Sequence, residues 1–338
     1  MEKPTLDRFP KSVLAQIDIQ TAFFVSRLVV AAERLQIFRA LHAKSMNADA
    51  IGKMVGIHEL YLKPFLSSLV SLGLLRVTGG RYRNTAFTER YFIRERSIHW
   101  TRQYSKECVE AYEALTTLEK ALASGKRHES IQGRKKRDYL ESMERDRQEA
   151  EDFTQMLFYF HQGEAEALAN YLDLSDRRAV LDVGGGSGVM SIALAEKNPH
   201  LTASVLDIAP VCEIASKNIR KAGLSRRVRA IAGDIRQTLP RGFDVVMFCD
   251  IGVVSMQHLR NACQCLPPKG LVVLVDRYLS DDGTRPLDRL VEHFAGSAFG
   301  LATRRDMVQA VRSSGFQQIK AKNVYKDLWF ITGTKPSR

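Results

Sequence analysis

Residues 179–188 run Ala179-Val180-Leu181-Asp182-Val183-Gly184-Gly185-Gly186-Ser187-Gly188. An apolar run carrying one acid breaks into four glycines. A periodic apolar segment then follows: Met190, Ile192, Ala193, Leu194, Ala195. That order predicts a buried parallel strand, a tight turn and a helix. Glycine accepts positive φ and lets a ligand come close to the backbone. The helix that follows aims its free N–H groups and the positive end of its dipole at the same place.

Working outward, the same pattern repeats. Ala203 to Leu206 reads as a second strand ending in Asp207, about 20 residues past the glycines, where an acid takes the hydroxyls of a ribose. A helix from Val211 to Ala222 comes next. Val228 to Ala232 is a third strand, running into Gly233-Asp234-Ile235. Phe243 to Cys249 is a fourth, ending near Asp250, and Leu271 to Val275 a fifth, ending in Asp276. Four successive strand ends thus bring a carboxylate to one edge of a parallel sheet, the edge at which open α/β sheets bind ligands.

A dinucleotide site is the rival reading. It favours Gly-x-Gly-x-x-Gly, with helix N–H groups on a pyrophosphate. Here Asp182 stands beside the turn. A carboxylate there repels a pyrophosphate and suits a ligand with a cationic amino group. S-adenosyl-L-methionine carries an ammonium, a sulfonium, a ribose and an adenine, and is the cofactor expected. The bland alternative is that the glycines serve only the turn.

These motifs resemble the class I S-adenosylmethionine-dependent methyltransferases. In particular, the chain is similar over nearly its whole length to the small-molecule O-methyltransferases that carry a winged-helix dimerisation domain ahead of the catalytic domain. The resemblance implies an α/β, Rossmann-like doubly wound sheet preceded by an all-helical, winged-helix domain. It implies donor contacts from Asp182, Gly184, Gly185, Gly186 and Gly188, ribose contacts from Asp207 with Ile208, and adenine contacts from Gly233, Asp234 and Ile235. Met156, in Phe153-Thr154-Gln155-Met156, and Cys249 complete the implied donor set. The domains expected are 1–95 for dimerisation, 96–172 as a helical linker contributing to the acceptor pocket, and 173–338 for donor binding and catalysis.

One element of that family's pattern is missing. A strand end like Met247 to Ile251 is followed in those enzymes by His-Asp, whose histidine is the general base. Read without gaps, that pair falls on Val254-Ser255. Valine cannot take a proton, and His258 comes four residues late. Three readings stand. The acceptor needs little base help, with proximity and alignment supplying the rate. Or the base is displaced, with His293 in Leu290-Val291-Glu292-His293-Phe294 the candidate and His161, five residues past Met156, a second. Or the chemistry is lost and the chain is a regulator or scaffold that keeps the donor as an effector. A partial resemblance to the bacteriochlorophyllide C-20 methyltransferases, which also lack His-Asp, implies a bulky, apolar acceptor; the activity expected is O- or C-methylation of a hydrophobic, aromatic small molecule. His161 and His293 both have the plain alternative of packing histidines.

The N-terminal third reads differently. Val13 to Leu41 is apolar on too much of its surface for a lone amphipathic helix, so one helix over 12–41 is expected to be buried on more than one side. Ala48 to Ile57 and Tyr61 to Leu75 are two further helical segments, and Leu75–Thr78 turns at Gly79-Gly80 into Arg81–Thr85. Helix, helix and hairpin make a winged helix. Its second helix offers only Lys63 as a basic side chain, too few donors to read a DNA groove, so nucleic acid is not the expected partner and a homodimer is. Helices are expected near 97–125 and 137–172.

Composition bounds the rest. The chain has 338 residues, room for two domains. Lys and Arg number 50 against 38 Asp and Glu, a net charge of +12. The densest basic knot, Lys126-Arg127 with Arg134-Lys135-Lys136-Arg137, is answered by Glu141, Glu144, Asp146 and Glu149, as on a solvated helix face. Five cysteines are scattered without a zinc-like spacing, so no metal is expected. With no signal-peptide order and no run long enough to span a bilayer, the expected compartment is the cytoplasm.

Overall fold

A computed structural model describes residues 13–133, 139–295 and 300–337. The first residue of the expected N-terminal helix, the basic knot at 134–137 and Gly296 lie outside them. The chain divides into two compact units, which separate between Val109 and Glu110.

In the first unit the expected single helix is two, α1 (Val13–Arg34) and α2 (Ile37–Ala40). The apolar spacing runs on through the break, but Gln36 is left-handed (φ 59°) and its side-chain amide donates to the carbonyl of Glu33. The backbone N–H of Gln36 donates to the same carbonyl at 2.8 Å, and this tight turn ends α1. Burial of α1 within this unit varies along its length: consecutive Phe23, Phe24 and Val25 are exposed, whereas Val30 and Ala32 are buried. Next come β1 (Met46–Asn47), α3 (Ala48–Val55), α4 (Glu59–Ser71), β2 (Leu75–Thr78) and β3 (Arg81–Asn84). The three short strands pair antiparallel in the order β1-β3-β2. Two helices and a hairpin thus follow one another in the expected order, which is compatible with a winged helix. Its core is Ala32, Ile37, Phe38, Leu41, Ile51, Leu66, Leu69 and Leu75. Asn84 is buried beneath it, donating to the carbonyl of Phe38. The short α5 (Ala86–Thr88) and the long α6 (Glu95–Leu115) follow.

The two long helices expected near 97–125 and 137–172 are broken into α6, α7 (Leu118–Ser124), α8 (His128–Ile131), α9 (Tyr139–Arg145), α10 (Arg147–Phe160) and α11 (Gln162–Tyr171). Local side-chain chemistry makes the breaks. Thr116 and Thr117 turn their hydroxyls onto the carbonyls of Glu113 and Ala114, competing with the helical ladder. Asp146 accepts from the N–H groups of Gln148 and Glu149, which caps and so begins α10.

The second unit is built on a seven-stranded sheet: β4 (Ala179–Val183), β5 (Thr202–Asp207), β6 (Val228–Ala232), β7 (Val245–Cys249), β8 (Leu271–Asp276), β9 (Gln317–Tyr325) and β10 (Leu328–Thr334). Its order is β6-β5-β4-β7-β8-β10-β9. Five strands are parallel. β10 and β9 add an antiparallel edge, with Phe330 opposite Val275. The sequence reading missed this hairpin, although Ile319, Ala321 and the intervening Lys320 and Lys322 alternate as an edge strand does. Successive strand residues point to opposite faces: Val180, Val245 and Met247 into one core, Leu181, Val246 and Phe248 into the other. The first core is closed by α11, α12 (Val189–Lys197) and α13 (Ala209–Lys221), the second by α14 (Met256–Cys265) and α16 (Arg304–Ser313). With both faces covered, the strands need unbroken apolar runs, which is why they were legible. A further helix, α15 (Leu287–Phe294), lies between β8 and α16 in the chain.

The candidate site at the carboxyl edge of the sheet

The chain lays β4 down first, goes out to β5 and β6, then returns to β7 and β8 on the other side. The strand order therefore reverses between β4 and β7, and the crevice past their carboxyl ends is where such a sheet receives ligands. A cleft of about 610 Å³ lined by Arg241, Asp244, Cys265 and Lys335 lies at the opposite, amino edge, where no glycine turn or strand-end acid is present.

On the β4 side, Gly184, Gly186 and Gly188 all take positive φ (67°, 52° and 78°). Gly185 is needed for a different reason. A Cβ there would stand 2.5 Å from the carboxyl carbon of Asp182. Asp182 is fully buried beneath the turn. Its Oδ2 accepts from Ser191 Oγ at 2.8 Å, while Oδ1 has no hydrogen-bond partner. Burial pushes this carboxyl up to about 7, with the Ser191 hydrogen bond opposing. An orphaned, buried carboxylate oxygen is costly unless something else pairs with it.

Asp207 ends β5 and faces the turn. Gly186 N–H donates to its Oδ2 at 2.9 Å and Ile208 N–H to its Oδ1 at 2.8 Å. Each oxygen keeps a second lone pair for a ligand hydroxyl. Burial raises its pKa, against these two backbone donors. Gly233 lies under Leu206, whose Cδ1 would meet a Cβ there at 2.8 Å. Asp234 is held by Arg236, Nε to Oδ1 at 2.8 Å and Nη2 to Oδ2 at 2.8 Å, which lowers its pKa. Ile235 reaches toward the turn, its Cδ1 3.9 Å from the place a Gly184 Cβ would occupy.

Met156 is buried on α10. The neighbouring Gln155 does something the sequence did not suggest. Its amide donates to Asn218 Oδ1 at 2.9 Å, and Asn218 donates to the carbonyl of Ser187 at 3.1 Å. All three are buried. This relay ties α10 through α13 to the glycine turn, and buried polar pairs of this kind hold a unique arrangement.

On the β7 side, Cys249 is half-buried, and burial together with Asp182 and Asp250 pushes its thiol up. Asp250 follows in a left-handed conformation, φ 51°, unusual for a residue with a side chain. Its N–H bonds to the carbonyl of Val275 at 2.9 Å. His161, at the α10–α11 junction, is buried and sets Nε2 3.2 Å from Asp250 Oδ2 and 3.5 Å from Glu164 Oε2. Burial depresses its pKa, but Asp250 and Glu164 outweigh this, so the net shift is upward. Beyond it, Arg277 pairs with Asp288 at 3.1 Å, and the fully buried Arg289 pairs with Asp276. Sequence reading had no means of assembling this cluster, because its members come from four separate segments.

The structure places the other histidines elsewhere. His258 caps α14: its Nδ1 accepts from Ser255 N–H while its own N–H bonds Ser255 Oγ. His293 is exposed on α15, its ring edge-on to Phe294, and its neighbour Glu292 is the residue that reaches Arg277. Val254 is buried. Among the described residues there is no group of three or more His, Cys, Asp or Glu placed to hold a metal ion. No described helix is long and apolar enough to cross a membrane.

Comparison with known proteins gives three findings. An O-methyltransferase domain model matches residues 116–314, and an O-methyltransferase dimerisation domain model matches residues 17–94. Among curated relatives, 3-hydroxy-5-methyl-1-naphthoate 3-O-methyltransferase of Streptomyces sahachiroi is 28% identical over 286 residues, 80% of this chain and 79% of that one. L-tyrosine C(3)-methyltransferase of Streptomyces lavendulae is 29% identical over 268 residues, 76% and 72% of the two chains. Bacteriochlorophyllide d C-20 methyltransferase of Chlorobaculum tepidum is 24% identical over 170 residues, 47% and 50%. In fold, human N-acetylserotonin methyltransferase in complex with SAM matches with a TM-score of 0.80 at 19% identity, over 97% of this chain and 98% of that one.

Proposed function

Since this chain belongs to the O-methyltransferase family, we propose that it transfers a methyl group to a small, largely apolar aromatic acceptor bound beside the β4–β7 switch point. It is a methyltransferase, and S-adenosyl-L-methionine is its methyl donor. The comparisons lend no support to the alternative of a non-enzymatic regulator.

The observation that carries the reading is the orphaned Asp182 Oδ1 under a turn of positive-φ glycines. The donor's ammonium is the partner that oxygen lacks. The donor residues fit the ligand in order along the edge. Gly184 to Gly188 admit its methionine portion, Asp207 and Ile208 receive the ribose hydroxyls, and Gly233 to Ile235 flank the adenine, with Met156 and Cys249 closing the site. When bound, the donor supplies an electrophilic methyl group on a sulfonium. The chain's own residues bind and orient it, keep water out, and hold the acceptor on the β7–β8 side. Residues 96–172 contribute α10 and α11 to that side. An aromatic acceptor is what the naphthoate and tyrosine relatives, which act on such rings by name, support.

We also infer a homodimer through residues 1–95. The first unit carries the dimerisation domain. It exposes Phe23, Phe24, Leu60 and Tyr61, and has an apolar groove lined by Leu28, Leu35, Ile57, Tyr61 and Phe65. A monomer seldom leaves so much apolar surface in water.

Calorimetric titration with S-adenosyl-L-homocysteine tests the donor half. Wild type is expected to bind, and Asp207→Ala to lose about 100-fold or more, the worth of one or two charge-assisted hydrogen bonds. Absence of binding to wild type overturns the reading. Gain of one methyl by mass, over a panel of hydroxynaphthalenes and hydroxynaphthoates, tests the acceptor half.

A further inference from the structure

Methylation of a hydroxyl, or of the ring carbon beside it, is helped by a base that takes the hydroxyl's proton. The position after β7 where this family keeps that base holds Val254 here. His258 is committed to its helix cap, and His293 faces solvent. The crevice nevertheless contains a histidine from another direction.

Asp250 is the first residue past β7, directly at the switch point. Ile251 beside it packs against the glycine turn, its Cγ2 2.8 Å from the place a Gly184 Cβ would occupy. The left-handed backbone of Asp250, fixed by its N–H to Val275, is the kind of strain that accumulates at functional sites. It aims the carboxylate at His161, and Glu164 approaches the same ring nitrogen from α11. Two carboxylates on Nε2 hold the ring's proton there. Nδ1 then carries the lone pair, and it has no hydrogen-bond partner among the described residues. A histidine oriented by a carboxylate on one nitrogen, with the other ready to accept, is the arrangement of an acid–base catalyst. The residue is 7% exposed, so bulk water has little access to the ring. The Gln155–Asn218–Ser187 relay fixes α10, and with it His161, relative to the turn that receives the donor.

We propose that His161, oriented by Asp250 and Glu164, is the base that accepts the proton of the acceptor's hydroxyl. This rests on the methyl-transfer reading above. The proton moves from the acceptor oxygen to Nδ1 of His161. The electron pair left on the acceptor forms the new bond to the methyl carbon, from oxygen or from the adjacent ring carbon. The old bond from that carbon to sulfur breaks, and its pair stays on sulfur. When the ring carbon is the nucleophile, that carbon's own proton then passes to the acceptor oxygen, restoring the hydroxyl and the aromatic ring, and the proton on His161 is released to solvent. The charged groups facing His161 are Asp250 from the end of β7, Glu164 from α11 and Arg277 from the segment after β8.

The test uses full-length wild type, His161→Gln and Asp250→Asn, with a series of 2-naphthols from unsubstituted to nitro-substituted, so that hydroxyl acidity is graded. Methyl transfer is followed by mass, and donor binding by calorimetry with S-adenosyl-L-homocysteine. For His161→Gln, kcat/KM is expected to fall about 100- to 1000-fold on the least acidic naphthol and less than about tenfold on the most acidic, because a ready-made naphtholate needs no base. Asp250→Asn is expected to show the same trend with smaller losses. Donor affinity in His161→Gln should stay within about threefold of wild type. An equal loss across the series marks a packing role and overturns the assignment, as does a loss below about threefold throughout. A wild type that binds S-adenosyl-L-homocysteine but methylates no naphthol refutes the acceptor class and this assignment together. A wild type that does not bind it refutes the donor reading instead.

Discussion

Lowering the pH from 7 to 5 should weaken S-adenosyl-L-homocysteine binding about 50-fold through Asp182 alone. This carboxyl is fully buried, and burial pushes it from 3.8 up to about 7. In the free protein it is therefore about half ionised at pH 7 and about 1% ionised at pH 5. Only the ionised form offers the ligand's ammonium a counter-charge, so apparent affinity follows that fraction. Stability of the free protein runs the opposite way. Because the native pKa is raised, the folded state holds a proton that the unfolded chain has released between pH 4 and 7. Stability thus falls as pH rises through that window, by at most ~4 kcal/mol for this group. The ligand should abolish the fall by making the charge welcome. The assay is calorimetric titration at pH 5, 6 and 7, in two buffers of different ionisation enthalpy, so that proton release on binding is counted directly. In Asp182→Asn this component should vanish, leaving an affinity at pH 7 near that of wild type at pH 5. A wild-type affinity that is flat with pH, or an Asn variant that keeps the wild-type slope, would show that Asp182 is not the ammonium's counter-charge.

Gly185→Ala should destabilise the second unit by about 2–3 kcal/mol and abolish S-adenosyl-L-homocysteine binding, since the new methyl meets the Asp182 carboxyl at 2.5 Å; thermal unfolding and calorimetry report the two effects. Gln155→Leu strands the Asn218 acceptor in a buried site and should cost about 1–3 kcal/mol in urea unfolding. Arg289→Met removes the buried cation beside Asp276 and should cost about 3 kcal/mol or more. The double change Arg289→Met with Asp276→Leu should recover part of it, because two apolar side chains leave no charge uncompensated.

How much of this was legible before the structure depends on sequence distance. Strands β4 to β8 and the glycine turn were readable, because buried parallel strands are short apolar runs and each is punctuated by its own glycine or acid. The orphaned state of Asp182 was not, although its placement beside the turn was. The break at Gln36 carried no Gly or Pro to announce it, and apolar spacing ran straight across. The threonines at 116 and 117 and the cap at Asp146 did carry a signal, in residue types that bond their own backbone, but periodicity masked it. The β9–β10 hairpin showed alternation weakened by its polar, edge-strand character. His161 was flagged only by its spacing from Met156. What gives it meaning, Asp250 and Glu164 on one ring nitrogen, exists only after the distant segments around 161–164 and 250 fold to one point.

The strand order carries a practical consequence for anyone wishing to retool this chain. Every residue assigned to the donor's polar groups lies between 182 and 235, on one flank of the reversal, whereas Asp250 to Glu292 occupy the other. The two flanks meet along a single seam, where Ile251 touches the glycine turn. Segments beyond that seam can be transplanted from a relative as one cassette, with His161 and α11 brought along, while the half that grips the methyl source, Met156 of α10 included, is left alone. The graft points such a chimera needs to respect are few: the seam at Ile251 and the amide relay from Gln155 to Ser187.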